Sequence, residues 1–524
     1  MARQGVTLVV QDGGLGQSTP GLGNVLAVVG VCSQSGGSTV QMFAPIQTAN
    51  PSTITGACGV GPGPEMCANI IQSTGNPVVF IPIPIASPGV TSGPWASSSN
   101  TGSSVMSLQG TPQDTYYGAV ECTVACTIGA TAGQVEISLD YNRTIFATVN
   151  IPANYVAGTF LNVTQNGITT GLQFAFSAGT MALGDTFFFL CTEPTWSDAS
   201  VASAIQVLYN FNLSNPEDVI VVGGSAERNG PGTVGCLAAD ATAFDGYMTS
   251  LFNKQRYMRM LCAAGDAQWG GTSTESEASW ITSLANAFAN VSSLRVGVSA
   301  GHYNCVSAIS QTQFRRPLLW FAAARDSAVA IQVDLGRVLD GALADLTLPT
   351  SPDVGFAGST KPFIYHDETV NPGLDTARFL SAWSIARKPG LFIMNPNLMA
   401  PPGSDFNWLQ HGHTIDAACL IVYDYFSGQL SNNVLVYPAG TPNAGQLLTS
   451  VSGDMLATVN SQLSTQLVTP GAASAAVCSI PPGQNILATA ALNVSCAITP
   501  PGYLKAIIVM LQFQNPAVVQ VQSA

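Results

Sequence analysis

Apolar positions along this chain recur with two different periods, and the period changes near residue 205. Before that point short runs alternate. Val135, Ile137 and Leu139 interleave with Glu136, Ser138 and Asp140, the pattern of a half-buried strand. Leu172, Phe174 and Phe176 alternate likewise, and Asp185–Cys191 adds a phenylalanine-rich strand. Several short strands with turn signals between them predict a small sandwich or barrel over 114–195. Residues 20–105 hold short apolar runs punctuated by Gly, Pro, Ser and Thr and read as strands and loops; residues 96–113 read as a linker.

After residue 205, strands and helices alternate. Val219–Val222 is an apolar run ending in Gly223-Gly224, and Phe244, Tyr247, Met248 and Leu251 then fall at helical spacing. Tyr257–Cys262 reads as the next strand. Thr274-Glu275-Ser276-Glu277 has capping-box spacing ahead of a helix that carries Trp280, Leu284 and Phe288 on one face. Arg295–Ser299 and Arg316–Ala328 read as a third strand and a third helix. This alternation predicts an α/β unit with a largely parallel sheet. Residues 350–415 are mixed, 415–427 and 444–466 read as helical, and strands are predicted at about 485–495 and 503–513.

Charge changes the picture at the two ends. Only 9% of the 524 residues are charged, against about a quarter in an average globular protein. No charged side chain lies between Asp12 and Glu65, between Glu65 and Asp114, or between Asp454 and Lys505. The ends are apolar and strand-like: Val6, Leu8 and Val10 near the start, and Ile507, Val509, Leu511 and Phe513 near the finish. A free strand of this kind is an aggregation hazard. It is either a central strand of its own domain or is completed by another copy of the chain through β-augmentation. Residues 1 to about 20 are read as an exchanged arm, and the last strand as a central one with a neighbour's arm alongside.

The net charge of −13, with no Lys/Arg cluster, gives no nucleic-acid footprint. No apolar run reaches the roughly 18 residues of a membrane span, and no apolar signal core follows the N-terminus. The twelve cysteines are spread thinly with no CxxC pair, so free buried thiols in a reducing cytosol are expected. The chemistry on offer is sparse. Loops after the three parallel strands carry Asp266, His302 and Cys305, from which a carboxylate, an imidazole base and a thiolate nucleophile could be assembled. His411-x-His413 would place both imidazoles on one face of a strand, and His366-Asp367-Glu368 offers further metal-ligand types. With four histidines in the chain, loop histidines outweigh a zinc site, and no cofactor, metal or catalytic residue is assigned.

The order of parts resembles the contractile tail sheath proteins of bacteriophages. Gly5–Val10 and then Pro20–Val25 look like a sheath arm entering the first strand. Tyr117–Asp140 and Gly171–Glu193 look like a β insertion, with Gly184-Asp185-Thr186-Phe187 and Glu193-Pro194-Thr195 among the matching stretches. Asp334–Val338 with Gly341 resembles the junction after the α/β sheet. Pro389–Ile393, Ser404-Asp405-Phe406 and Ile415-Asp416 resemble the C-terminal sheath domain, and Pro500–Tyr503 with Phe513–Pro516 its closing strand. One departure stands out: His413 occupies a place before Ile415-Asp416 where a basic residue is expected.

The resemblance implies an α+β multidomain fold: an α/β core with a mixed sheet, a β-sandwich or barrel insertion, and terminal arms completing a sheet with neighbouring subunits. The expected divisions are an exchange arm at 1–24, the first part of the core at 25–105, the insertion at 106–197, the α/β domain at 198–350, a C-terminal domain at 351–484, and closing strands and arm at 485–524. It also implies a structural, non-enzymatic subunit that polymerises in six-fold rings or helical strands around a tail tube. Further partners would be baseplate and tail terminator proteins, with no nucleic acid and no membrane insertion. The protein would reside in the virion tail after assembly in the host cytoplasm. The alternatives are a β-rich virion surface adhesin and an α/β enzyme using Asp266, His302 and Cys305.

Overall fold

The computed structural model describes residues 25–33, 40–140, 144–165, 168–210, 216–224, 235–267, 275–309, 311, 313–346 and 364–505. The arm residues Val6, Leu8, Val10, Ile507, Val509, Leu511 and Phe513 lie outside them. The chain opens with strand β1 (Leu26–Gly30) and β2 (Ile46–Thr48), then helices α1 (Pro51–Cys58) and α2 (Pro62–Thr74), then β3 (Val78–Pro82). The two helices stand where strands and loops were expected. Each carries proline in its first turn, where the missing N–H has no intrahelical partner to lose, and Asn50 caps α1 by accepting from the Ser52 N–H.

An all-antiparallel β region follows: β4 (Thr91–Ala96), β5 (Met106–Gly110), β6 (Tyr116–Val124), β7 (Cys126–Thr127), β8 (Gly133–Ser138), β9 (Ala147–Ile151), β10 (Leu161–Gln165), β11 (Ile168–Phe176), β12 (Thr180–Met181) and β13 (Thr186–Cys191). They form a five-stranded sheet in the order β4-β13-β6-β8-β9, a three-stranded sheet β10-β11-β5 and a pair β12-β7. The predicted alternation holds as far as Ile137, with Val135 and Ile137 buried while Gln134 and Glu136 are half-exposed, but Ser138 and Asp140, expected on the polar face, are buried and bonded to each other at 2.6 Å. Phe176 of one sheet packs on Phe187 of the other, ring centroids 6.1 Å apart. The stretch expected to be a linker holds β5, which pairs with β11 from Met106↔Phe176 to Gly110↔Leu172.

Then come α3 (Asp198–Asn210), β14 (Asp218–Val221), α4 (Ala238–Asn253), β15 (Arg259–Ala263), α5 (Glu277–Phe288), β16 (Val296–Ser299), the hairpin β17 (His302–Val306) and β18 (Gln313–Pro317), and α6 (Leu318–Ala328). The main sheet has the order β16-β15-β14-β1-β3-β2, parallel except for β2 at its edge. It therefore joins the strands after residue 205 to three strands from the first hundred residues. Side-chain alternation sends Leu26, Val28, Phe80, Ile220 and Leu261 to one core, with α2 and α6. Ala27, Val29, Val79, Val219, Met260 and Val296 go to the other, with α3, α4 and α5. Burial on both faces explains why these strands read as continuous apolar runs. The N-terminus of α5 is capped by Ser276, which accepts from the Ser279 N–H, and Thr274 of the expected box lies outside the described residues.

The C-terminal part holds the hairpin β19 (Ala382–Ser384) and β20 (Leu391–Ile393), helices α7 (Leu409–Ser427) and α8 (Thr449–Leu463), and the hairpin β21 (Ala475–Ser479) and β22 (Ser495–Thr499). Ile421, Val459, Leu463, Leu467, Ala476 and Cys478 build a small separate core beneath this last hairpin. The strand expected at 485–495 is placed at β22 instead, with a four-residue helix at Ile486–Thr489 before it.

Candidate functional site

In an open parallel sheet, ligands bind beyond the carboxyl ends of the strands where the strand order reverses. That reversal falls between β1 and β14: the chain passes from β1 to β3 on one side, and later to β14 on the other. The first turn of α2 lies directly on the end of β1. A Cβ added to Gly63 would stand 2.6 Å from the Phe80 ring, and one added to Gly30 would stand 3.0 Å from the Gly63 Cα. What remains is a crevice bordered by Gly223, Glu193, Asp266, His302, Arg315 and Arg316.

Ion pairing occupies that crevice. Arg315 grips Asp266 with two parallel bonds, Nε to Oδ2 at 2.6 Å and Nη2 to Oδ1 at 3.0 Å, and its guanidinium lies 4.8 Å from the Tyr365 ring centre. Arg316 donates to Asp114 at 2.8 Å and stands 3.9 Å from Glu193. Glu65, from α2, accepts from the Ser307 hydroxyl at 2.8 Å. One guanidinium thus serves a group of three buried carboxyls. Burial pushes Glu65 up to about 8 and Glu193 up to about 7, because two anions here would face Asp114 with too little positive charge to offset them. Sequence reading missed the arginines, although Arg315-Arg316 is a conspicuous pair in a chain with 16 basic residues.

The structure does not assemble the nucleophilic trio. His302 and Cys305 both lie on β17, three residues apart, and so point to opposite faces of it. Cys305 packs in the apolar core, where burial pushes its thiol up to about 12. His302 Nδ1 stands 3.6 Å from Asp266, and burial presses the imidazole down to about 4. Asp266 is held by Arg315, and burial is outweighed there by that guanidinium, which keeps the carboxylate ionised.

The histidine motifs also separate. The segment with His411 and His413 is helical in α7, so a two-residue spacing turns the rings apart rather than onto one face. His411 Nδ1 lies 3.1 Å from the Asp405 carbonyl, whereas His413 is buried between Glu217 and Asp218, each 3.0 Å away. The residue at the departure from the sheath pattern is therefore an internal one. His366 pairs with Glu277 at 2.9 Å and with Glu368 at 3.3 Å. Burial opposes its proton, but these two carboxylates hold it, and its pKa is raised. Asp367 faces elsewhere, accepting from the Thr369 and Ser384 N–H groups at 2.9 Å.

The other candidate site is an edge. Among the described residues β21 and β22 form a sheet of two strands only, so both outer edges lack a strand partner there. Ala476 and Cys478 face the small core, while Ala475, Val477 and Ser479 are exposed. Cys478 and Cys496, directly opposite in register, form a disulfide, which corrects the expectation that every thiol is free. Among the described residues no other cysteine is in a disulfide. Beyond β22, the Tyr503 hydroxyl donates to the Gln332 carbonyl at 2.7 Å and Lys505 pairs with Asp334, fixing the chain just before its last apolar segment.

No protein-family model and no curated protein matches the chain. Among the solved structures that align with it are tail-sheath proteins and the sheath of a contractile injection system. One is a sheath tail protein from Desulfitobacterium hafniense, 9% identical, covering 95% of this chain and 100% of that one at a TM-score of 0.43. Another, from Listeria innocua, is also 9% identical, covering 92% and 93% at 0.44. The sheath complex of an extracellular contractile injection system in its contracted state is 9% identical, covering 99% of each chain at 0.48.

Proposed function

We propose that this chain is a structural, non-enzymatic subunit that polymerises with its own copies into a contractile tail sheath around a tail tube. The observation that carries the reading is the two-stranded hairpin β21–β22, whose β22 edge has no partner among the described residues while Asn460 of α8 bonds the Cys478 N–H and carbonyl on the β21 edge, in a chain with only Arg3 and Asp12 before Glu65 and no charged side chain after Lys505. A two-stranded sheet is marginal alone, and an added strand supplies its missing hydrogen bonds. Residues 1–24 of one subunit and 506–513 of another are the strands proposed to extend this hairpin from its β22 edge. Hydrogen-bonded arms of this kind keep subunits linked through large rigid-body rotations, as contraction demands. Head-to-tail contacts that do not close generate the filament.

In this reading the tube, baseplate and tail terminator are the other partners, and the particle is a phage tail or a similar injection device. The ion pairs in the sheet crevice brace the subunit rather than bind a substrate. The test is removal of residues 1–24. The truncated protein is expected to keep its far-UV circular dichroism and sediment as a monomer, while the full chain sediments as large polymer. Polymer of equal size from the truncated chain would refute arm exchange.

A further inference from the structure

A second buried polar cluster lies at the opposite, amino end of the main sheet, away from the crevice. It joins three parts of the chain: Glu217 and Asp218 at the start of β14, Asp326 near the end of α6, and His413 in the first turns of α7. One ligand atom each from Asp218, Asp326 and His413 lies within 4.8 Å of the other two, and all three residues are buried.

Three further observations point to a cation. First, Asp218 Oδ1 and Asp326 Oδ2 are fully shielded from solvent and have no hydrogen-bond donor among the described residues. Buried carboxylate oxygens rarely go without one. Second, Asp326 lies in the last turn of α6, where the helix dipole disfavours a carboxylate. Third, positive charge is short. The nearby Arg259 is committed to Asp416 at 2.8 Å and to the Gly412 carbonyl at 2.9 Å. A protonated His413 could offset only one of the three carboxylates it faces.

The imidazole is already oriented as a ligand. Glu217 stands 3.0 Å from Nδ1, and Nε2 points toward Asp218, also at 3.0 Å. A carboxylate behind one ring nitrogen fixes the tautomer and aims the other nitrogen at a metal. A cleft lined by Pro216, Tyr257, Met258, Asp416 and Leu420 borders Glu217 and His413 and offers a route in.

We propose that Asp218, Asp326 and His413 form a buried three-ligand site for a divalent transition-metal ion, with Glu217 orienting the imidazole. Two carboxylate oxygens and one imidazole nitrogen suit zinc, manganese or iron better than calcium or magnesium. Because each ligand comes from a different segment, the ion would clamp α7, and with it the C-terminal hairpin, onto the α/β core.

The experiment uses the full chain, stripped with chelator, dialysed, and titrated with zinc chloride by calorimetry and metal analysis. The expected result is one zinc per chain and a higher melting temperature with zinc than without. D326N, which keeps the side chain's shape, is expected to lose at least tenfold in zinc affinity. H411Q, altered outside the cluster, is expected to bind as the unaltered chain does. No stoichiometric zinc uptake by the unaltered chain would overturn the proposal and leave a proton shared between Asp218 and Asp326 as the cluster's balance. Undiminished uptake by D326N would overturn the ligand assignment.

Discussion

At the scale of single residues, the chain's few charges are concentrated where they are most costly. Asp114, Glu65, Asp266, Arg315 and Arg316 are buried together at one end of the sheet beside the half-buried Glu193, and Asp218, Arg259, Asp326, His413 and Asp416 at the other beside the half-buried Glu217. Removing one partner of such a group strands the rest, so these clusters fix how segments meet more than they add net stability. They also set a pH dependence. Folded Glu65 titrates at about 8 and Glu193 at about 7, against 4.5 ordinarily, so the folded chain retains protons that the unfolded chain releases. Their stabilising contribution is complete below pH 4.5 and is lost as pH rises through 7 to 8. His302 acts in the opposite sense. At about 4 against 6.5, it refuses a proton that the unfolded chain accepts, so stability falls as pH drops below 6.5. Thermal melts are therefore expected to show stability declining between pH 6.5 and 8. E65Q should flatten that decline: its melting temperature should match the unaltered protein near pH 4.5 and exceed it at pH 8.5. Little of this was legible beforehand. Asp266 and His302 were singled out by their place after strands, and they do meet, but their role is set by Arg315, which lies 49 residues from Asp266 in sequence.

At the scale of elements, legibility followed the hydrophobic period. Helix α4 was readable from Phe244, Met248 and Leu251, and strands β14, β15 and β16 from runs buried on both faces. Helices α1 and α2 were not, because the Gly and Pro punctuation of 20–105 reads as loops, whereas Pro51, Pro62 and Pro64 open helices and Gly63 marks a close approach to the sheet. Strand β5 was hidden by its Ser/Gly/Thr-rich flanks and owes its place to β11, more than sixty residues on. The Cys478–Cys496 bond joins residues 18 apart, which no spacing rule singled out. It ties together a hairpin that rests on a small core. C496S is expected to lower the local stability of this hairpin by about 3 kcal/mol, the loop-entropy value for a closure of this length. Hydrogen exchange should show this as faster exchange across 475–479 and 495–499, with β14 and β15 unchanged. Equal protection of the hairpin in C496S and the unaltered chain would contradict it.

At the scale of the molecule, the chain has a well-buried sheet, a β-rich excursion between β3 and β14, and a C-terminal hairpin whose β22 edge has no strand partner among the described residues. The charge-poor ends were readable from the sequence, and so was the resemblance to tail-sheath proteins. On the proposed reading the partners of those ends belong to other copies of the chain, so contacts within one subunit would not reveal them. Self-assembly is the central claim, and electron microscopy of the purified full-length protein in negative stain tests it most directly. Tubes or stacked rings of uniform diameter are the predicted result. Single particles of monomer size at every protein concentration would contradict it.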